Sequence, residues 1–454
     1  MPKNIHEVRD PIHVFVRLDS DERKVLDSRP LQRLRHIHQL AMSYLVYPGA
    51  THKRFEHSLG VMELAGRVFD TVTKPEKVTE KIRNLLAPIS VPDQLVYWRR
   101  VLRMAALCHD IGHLPFSHST ERLLPDGWNH ERLTRELISS EEMKAIWRST
   151  TPPLRTEDVV KLAVGPKKAD DLDFNDWETT LSEIIVGDAF GVDRMDYLLR
   201  DSHHSGVAYG KFDHYRLIDT LRILPKPGSQ EEEGSLEPVL GVEEGGIQSA
   251  EALMLARYFM FSQVYLHPVR RSYDLHLEDF LKEWLPDALF STALEEHLKI
   301  TDNEIAAAMR EATSAEDECG HLHARRIMRR EHFKQLYERN PDDVQVNPES
   351  GEAIFRPLCD KFGEEFFRRD RYRQEGGAPD FPVLLRDNRR ASSLSISGVL
   401  KTLPILSVDF IFADRSIFFE ADTWLKNNRP QIIRPVEEDR EDSNGQNGEG
   451  SVDR

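Results

Sequence analysis

Apolar residues recur along this chain mostly at helical spacing. In residues 55–70, FEHSLGVMELAGRVFD, the positions His57, Val61, Leu64 and Val68 fall at i, i+4, i+7 and i+11. Side chains so spaced share one helix face, so His57 points along an apolar stripe toward the interior. Residues 99–109, RRVLRMAALCH, are nearly all apolar from Val101 to Cys108 and predict a second, buried helix. It runs into Asp110, and Gly112 and Pro115 then stop it. A third, amphipathic helix is expected around 130–148, and a fourth over 193–201, DRMDYLLRD, followed by HHSG. Helical periodicity returns over 249–338.

Strand signals are few. Ile223-Leu224 and Val239–Val242 flank KPGSQEEEGSLEP, whose Pro, Gly and Glu content predicts an exposed hairpin loop or insertion. The segment 399–419 mixes apolar and β-branched residues and predicts a small sheet. From about 436 the chain is Glu, Asp, Asn and Gly, a composition too polar to bury a core, and disorder is expected there. The reading is a mainly α protein with a small β hairpin. A core occupies 1–220. A helical extension and a smaller mixed C-terminal lobe, 221–435, complete the same unit, and 436–454 form an acidic tail.

Composition narrows the class. None of the 454 residues lies in an apolar run near the roughly 18 that a membrane span needs, so no membrane partner is expected. The start, MPKNIHEVRDPIH, lacks the apolar stretch of a signal peptide. Cys108, Cys319 and Cys359 are far apart and odd in number, which suggests neither a disulfide framework nor a zinc ribbon. A reducing cytoplasm is the simplest setting. The formal charge is −16, only partly due to the tail. Such a field opposes a nucleic-acid backbone but not a small anion held by local arginines.

The histidines say more: His52, His57, His109, His113, His118 and His130 all lie between positions 50 and 130. An ionised Asp110 at the end of a buried helix is costly unless a positive group pairs with it. A metal ion would do so, with His109 as a second ligand. Alone, the dipeptide reads far more readily as a capping acid beside a packed histidine, because so short a motif recurs by chance. His57, inward on its own helix, and Asp193, opening another, change the balance. Two imidazoles and two carboxylates leave room for water and suit Fe, Mn, Zn or Mg. Such an ion lowers the pKa of a water it binds, enabling attack on phosphorus at neutral pH. His113, His118 and His130 are candidate proton donors for a leaving oxygen, or partners that orient ligands. Asp193, Tyr197 and Asp201, at i, i+4 and i+8, read as a strip lining a pocket or as a solvated helix face. Arg54 and Arg194 are candidate phosphate ligands.

The run LQRLRHIHQLAMSYLVYPGATHKRFEHSLGV, then CHDIGHLPFSH, WNHE and DRMDYLLRDSHHSG resembles the HD-domain deoxynucleoside triphosphate triphosphohydrolases. It is most similar to the single-domain bacterial relatives of the animal SAM-and-HD-domain enzyme, over about residues 8–215. The run begins almost at Met1, so no SAM domain is expected before it. The resemblance implies the HD-domain helical fold, with His57, His109, Asp110 and Asp193 as ligands of a divalent metal. It implies catalytic or phosphate-contacting roles for His113, His118 and His130, and triphosphate contacts from Arg54 and Arg194. Tyr197 and Asp201 would meet the deoxyribose, Gln39 and Leu40 would lie beside it, and Tyr273 would lie near the base. The implied reaction is hydrolysis of a dNTP at the α-phosphorus, giving a deoxynucleoside and tripolyphosphate.

There are departures from the family pattern. Glu121 stands where an aspartate of the catalytic relay belongs, and MFSQVYLHPVRRSYD differs from the family's basic stretch. Asp27, Gln32 and Arg35 stand where the animal enzyme reads a regulatory guanine nucleotide, but His6 and Glu7 replace the flanking lysine and valine. A nucleotide-activated homo-oligomer, dimer or tetramer, is therefore an expectation of the resemblance alone. The alternatives are an HD phosphohydrolase of ribonucleotides, cyclic nucleotides or single-stranded nucleic acid, and a non-catalytic nucleotide sensor. No G-x-x-x-x-G-K-[ST] segment supports a P-loop NTPase.

Overall fold

The computed structural model describes residues 5–226, 236–374 and 376–434, apart from the His118 side chain. The loop tip at 227–235 and the acidic tail lie outside the described residues. The chain forms two compact units: Met1–His332 with Tyr372–Ser407, and Phe333–Arg371 with Val408 onward. Helix accounts for 59% of the structure and strand for 12%, so it is mainly α, as the periodicity predicts.

The first unit opens with an antiparallel hairpin, β1 (Ile5–Asp10) and β2 (Val14–Asp19). Its helices are α1 (Arg54–Val72), α2 (Pro92–Cys108), α3 (His130–Ile138), α4 (Glu141–Ser149), α5 (Thr156–Val164), α6 (Asp176–Val186) and α7 (Val192–Ser205). The single helix expected over 130–148 is two, because Ser139 caps α3 and the Ser140 hydroxyl caps α4. The fourth helix outlasts its expected end and stops at Gly206, which takes the left-handed conformation that favours glycine. The hairpin expected around 223–242 is present as β3 (Leu221–Pro225) and β4 (Pro238–Glu243), paired antiparallel. Helix α8 (Ile247–Met260) ends in a π-helical turn, Phe261–Tyr265, before α9 (Pro268–Trp284). Helix α10 (His321–Met328) closes this series.

Helices α1 and α2 pack together along most of their length, and α5, α6 and α7 surround them. Val61, Leu64, Val68, Val101, Met104 and Leu107 are fully buried between them, which is why both sequences are so nearly apolar. Two glycines permit close approaches that place the site. A side-chain carbon at Gly60 would fall 1.9 Å from the Asp196 carboxylate, and one at Gly112 would fall 2.3 Å from the His130 carbonyl. Gly60 thus lets α7 reach α1, and Gly112 lets the start of α3 reach the turn after α2.

The second unit has its own core. Strand β5 (Lys334–Glu338) breaks the expected helical run to 338. It joins β6 (Phe367–Arg373) and β9 (Ser407–Ala413) in a sheet with β9 at the centre. Helices α11 (Ser350–Phe362) and α12 (Phe418–Ile432) contribute Ile354, Leu358, Ala421 and Leu425 to the apolar cluster that also holds Phe367 and Ile411. In the first unit, β7 (Pro382–Leu384) runs parallel to β4 and carries β8 (Arg390–Ser392) at its other edge.

Candidate active site

Three elements converge at one point. His57 projects from the first turn of α1, His109 and Asp110 follow the C-terminus of α2, and Asp193 lies in the first turn of α7. Ligand atoms of His57, His109 and Asp110 lie within 4.8 Å of one another. Asp193 Oδ1 is 3.0 Å from His57 Nε2 and 3.4 Å from His109 Nε2. The Asp193 side chain is 35% exposed while the two histidines are buried, so the cluster opens to solvent on the α7 side.

Hydrogen bonds aim both rings. His109 Nδ1 donates to the Ala106 carbonyl at 2.8 Å, and a carbonyl can only accept, so Nε2 is the nitrogen left to take a second proton or a metal ion. That buried Nε2 has no hydrogen-bond partner, although Asp110 Oδ1 stands 3.3 Å away. His57 Nδ1 pairs with Asp196 at 2.8 Å, which turns its Nε2 toward Asp193 and Asp110. Two Nε2 atoms facing two carboxylates call for positive charge between them, as ring protons or as a bound cation. Burial alone would lower His57, but Asp193 and Asp196 outweigh it and raise it to about 10. His109 is raised likewise by Asp110 and Asp193 against its burial. Asp110 and Asp193 resist the upward pull of burial and are held below the usual carboxylate range by the surrounding histidines, with Arg54 acting on Asp110. The residues present therefore fit a divalent cation, which would replace those protons.

Arg54 forms an ion pair with Asp110 and donates from Nε to the Ser117 hydroxyl at 2.7 Å. Beside Asp110, His113 Nε2 lies 3.2 Å from Oδ1. The His113 ring stacks on His130 at 4.0 Å between centroids. Burial, with Arg54 and His130 adding to it, holds His113 well below the usual histidine range, so it is neutral near pH 7. His130 Nδ1 meets Glu121 Oε1 at 2.6 Å, so the glutamate reaches the ring that an aspartate was expected to meet. The His118 side chain lies outside the described residues.

The strip on α7 has partners along its length. Tyr197 faces Tyr265 edge-on at 6.2 Å. Asp201 accepts from the Tyr265 hydroxyl at 2.7 Å, and its other oxygen lies 2.7 Å from His52 Nε2. Arg194 has two buried nitrogens without hydrogen-bond partners, and its charge is felt at Tyr197 and at Arg257. Gln39 and Leu40 are buried on the segment preceding α1, where the Gln39 amide donates to the His52 carbonyl. Tyr273 sits fully buried in a second apolar cluster with Leu277 and Phe280, its ring 4.7 Å from His332. Of the expected regulatory set, Asp27 pairs with Arg23, while Gln32 accepts from Arg35 at 2.9 Å and donates to the Leu26 carbonyl.

Sequence reasoning missed the support beneath the site. Asp196 accepts from Arg200 Nε at 2.8 Å, meets His13 Nε2 at 2.6 Å and holds His57. Arg200 is wholly buried and also bonds Asp10 at 2.8 Å, so the β1–β2 hairpin is tied through Asp196 to His57. The only local signal was Asp196 and Arg200 at i, i+4, which resembles an ordinary surface pair.

A helical bundle that gathers two imidazoles and two carboxylates around a common point, with a neutral histidine beside them, defines a hydrolase-type metal centre of the HD class. Residues 54–165 match the HD domain and residues 212–363 the HD associated region. The chain belongs to the HD-domain family that includes the SAMHD1 triphosphohydrolases. It is 30% identical to the uncharacterised protein YwfO of Bacillus subtilis, over 74% of this chain and 72% of that one. It is 29% identical to the deoxynucleoside triphosphate triphosphohydrolase SAMHD1 of Gallus gallus, over 75% of this chain and 57% of that one. A crystal structure of a hypothetical protein from Aquifex aeolicus superposes with a TM-score of 0.74 at 32% identity, covering 93% of this chain and 100% of that one. Across matched curated relatives the chain spans from 36% to 72% of their length. Asp193, Tyr197 and Asp201 fall between the two matched segments, so their place at the site rests on geometry.

Proposed function

We propose that this chain is a metal-dependent deoxynucleoside triphosphate triphosphohydrolase. The observation that carries the reading is the strip Asp193, Tyr197 and Asp201, which leads from the His57–His109–Asp110 cluster to a carboxylate anchored by His52 and Tyr265. Eight residues of helix span about 12 Å, the scale of a nucleotide from phosphate to sugar. Asp201 in this reading accepts from the sugar 3′-hydroxyl, and the Tyr197 ring packs where a ribose 2′-hydroxyl would project. Arg194 and Arg54 take the triphosphate, and the activity for which the Gallus gallus relative is named supports the substrate class.

His57, His109, Asp110 and Asp193 would hold the ion, whether Mn, Fe, Zn or Mg. It supplies a Lewis acid at the phosphoryl group and lowers the pKa of the attacking water. Water adds to the α-phosphorus and gives up a proton to solvent, the bond from phosphorus to the 5′ oxygen breaks, and that oxygen takes a proton. His130 donates it, with neutral His113 stacked on its ring and Glu121 orienting it. Asp27, Gln32 and Arg35 are the proposed effector-nucleotide contacts of a homo-oligomer, dimer or tetramer.

Product analysis tests the assignment. The protein is incubated with Mn²⁺ and each dNTP, singly and mixed, beside ATP, GTP and a single-stranded oligonucleotide, with Asp110→Ala as control. Deoxynucleoside plus tripolyphosphate, absent with Asp110→Ala, is the expected result, and turnover only in the mixture reveals an effector. Orthophosphate, a monophosphate or turnover of the oligonucleotide alone overturns the substrate assignment.

A further inference from the structure

Away from the HD motif, α9 and α10 bring together another set of metal-binding groups. His276, Asp279 and Glu283 stand at i, i+3 and i+7 of α9, on one face of the helix. His323 meets them from the first turn of α10. One ligand atom from each of His276, Asp279 and His323 lies within 4.8 Å of the others. The two imidazole centroids are 6.2 Å apart. Glu283 Oε1 is 3.4 Å from His323 Nε2, and Asp279 Oδ2 is 3.8 Å from His323 Nδ1.

Burial gives this grouping its meaning. His276 is 1% exposed and His323 8%, in a region whose other buried residues include Leu277, Phe280, Ala324 and Ile327. An apolar pair would fill such an interface at lower cost than two imidazoles and a carboxylate. A single His–Asp ion pair accounts for one histidine and one acid, but not for both histidines converging on the same acid. The donor set selects the occupant. Two nitrogens and one carboxylate suit a borderline divalent ion of the zinc class, whereas magnesium and calcium prefer all-oxygen shells.

We propose that His276, Asp279 and His323 bind a divalent transition-metal ion, which cross-braces α9 and α10. Helix α10 is eight residues long and follows a left-handed glycine, Gly320, so it has little stability of its own and gains from such a brace.

The test counts metal on the full chain. His109→Ala with Asp110→Ala silences the HD centre, and the protein is dialysed against buffered Zn²⁺ and assayed by mass spectrometry. About one equivalent of zinc per chain is expected to remain, and Co²⁺ in its place is expected to give the visible bands of a four-coordinate site. Adding His323→Gln is expected to remove both. Asp279→Asn, a near-isosteric change, is read alongside in case His323→Gln does not fold; it is expected to weaken binding by about tenfold or more. No zinc on the silenced chain overturns the proposal. So does zinc retained at full affinity by either added variant, which would leave His323 as the ion-pair partner of Asp279 and Glu283. Because the HD centre is silenced throughout, none of these outcomes bears on its own metal.

Discussion

Asp196 lies behind the metal cluster, yet it sets the orientation of a ligand. Its carboxylate accepts from Arg200 and is shared between His13 and His57, and it is fully buried. Asp196→Asn keeps the volume but offers an N–H where His57 or Arg200 needs an acceptor. Metal affinity is expected to fall about 10- to 100-fold, as for other groups that orient a ligand histidine. Metal titration of the variant checks this, and unchanged affinity would mean that α1 alone positions His57. His130→Gln makes a different prediction. In the proposed mechanism it removes the proton-donating ring but none of the four metal-binding groups, so kcat should drop about 100-fold or more with metal content intact. A loss of metal in step with kcat would place His130 in the coordination sphere instead. Residue by residue, the members of the cluster were legible because a histidine on an apolar stripe and a carboxylate ending a buried helix both violate the local pattern. Asp196, Arg200 and Tyr265 were not, because each is locally unremarkable. Their partners lie far away in sequence: His13 is 183 residues from Asp196, and Tyr265 is 64 from Asp201.

Among the elements, the helices that carry the site were readable from their 3.6-residue period. The N-terminal hairpin was not, because Ile5 and Val8 of β1 are three apart and half of the strand residues are exposed, which leaves the short alternation Val14, Val16 and Leu18 in β2 as its one period-two signal. The break between α3 and α4 depends on two serines that read equally well inside a helix. The contact between α6 and β4 carries a pH dependence. Glu183 of α6 is pushed up to about 7 by burial, with Glu237 and Asp188 adding to it, while the Leu240 amide donates to it at 3.2 Å. Its folded value lies above the ordinary 4.5, so folding favours the protonated form. Its contribution to stability is intact below about pH 4.5, shrinks as pH rises to about 7, and is constant beyond. Glu183→Gln should therefore leave the melting temperature nearly unchanged at pH 4 and raise it above wild type at pH 8. Equal effects at both pH values would remove titration of Glu183 as the cause.

At the scale of the molecule, two compact units, each with its own buried apolar residues, predict two thermal events. The cluster around Ile354, Phe367, Ile411 and Leu425 belongs to one unit, while both histidine clusters belong to the other. Calorimetry is expected to show two transitions, of which only one moves upward when a divalent ion is added. A single transition that shifts as a whole would show that the cores melt together. The division itself was hidden in the sequence, because the second unit is assembled from two stretches separated by residues 372–407. Nothing in local composition reveals such an excursion and return. Net charge, by contrast, is a property of the whole chain that the sequence states outright. At −16 it disfavours a polyanionic polymer over a small nucleotide drawn in by a few arginines.

Arg54 and a divalent ion compete for one carboxylate. The guanidinium sits on Asp110 Oδ2 and neutralises the charge that an ion on Oδ1 would also need, so an arriving ion would weaken its hold. The loosened guanidinium would then be free for an incoming phosphate. In the proposed reaction metal and triphosphate would thus be linked ligands, each raising the affinity of the other by the same factor. Arg54→Gln should bind metal more tightly in the absence of nucleotide, and should show a smaller mutual factor when a non-hydrolysable dNTP is titrated with and without the ion.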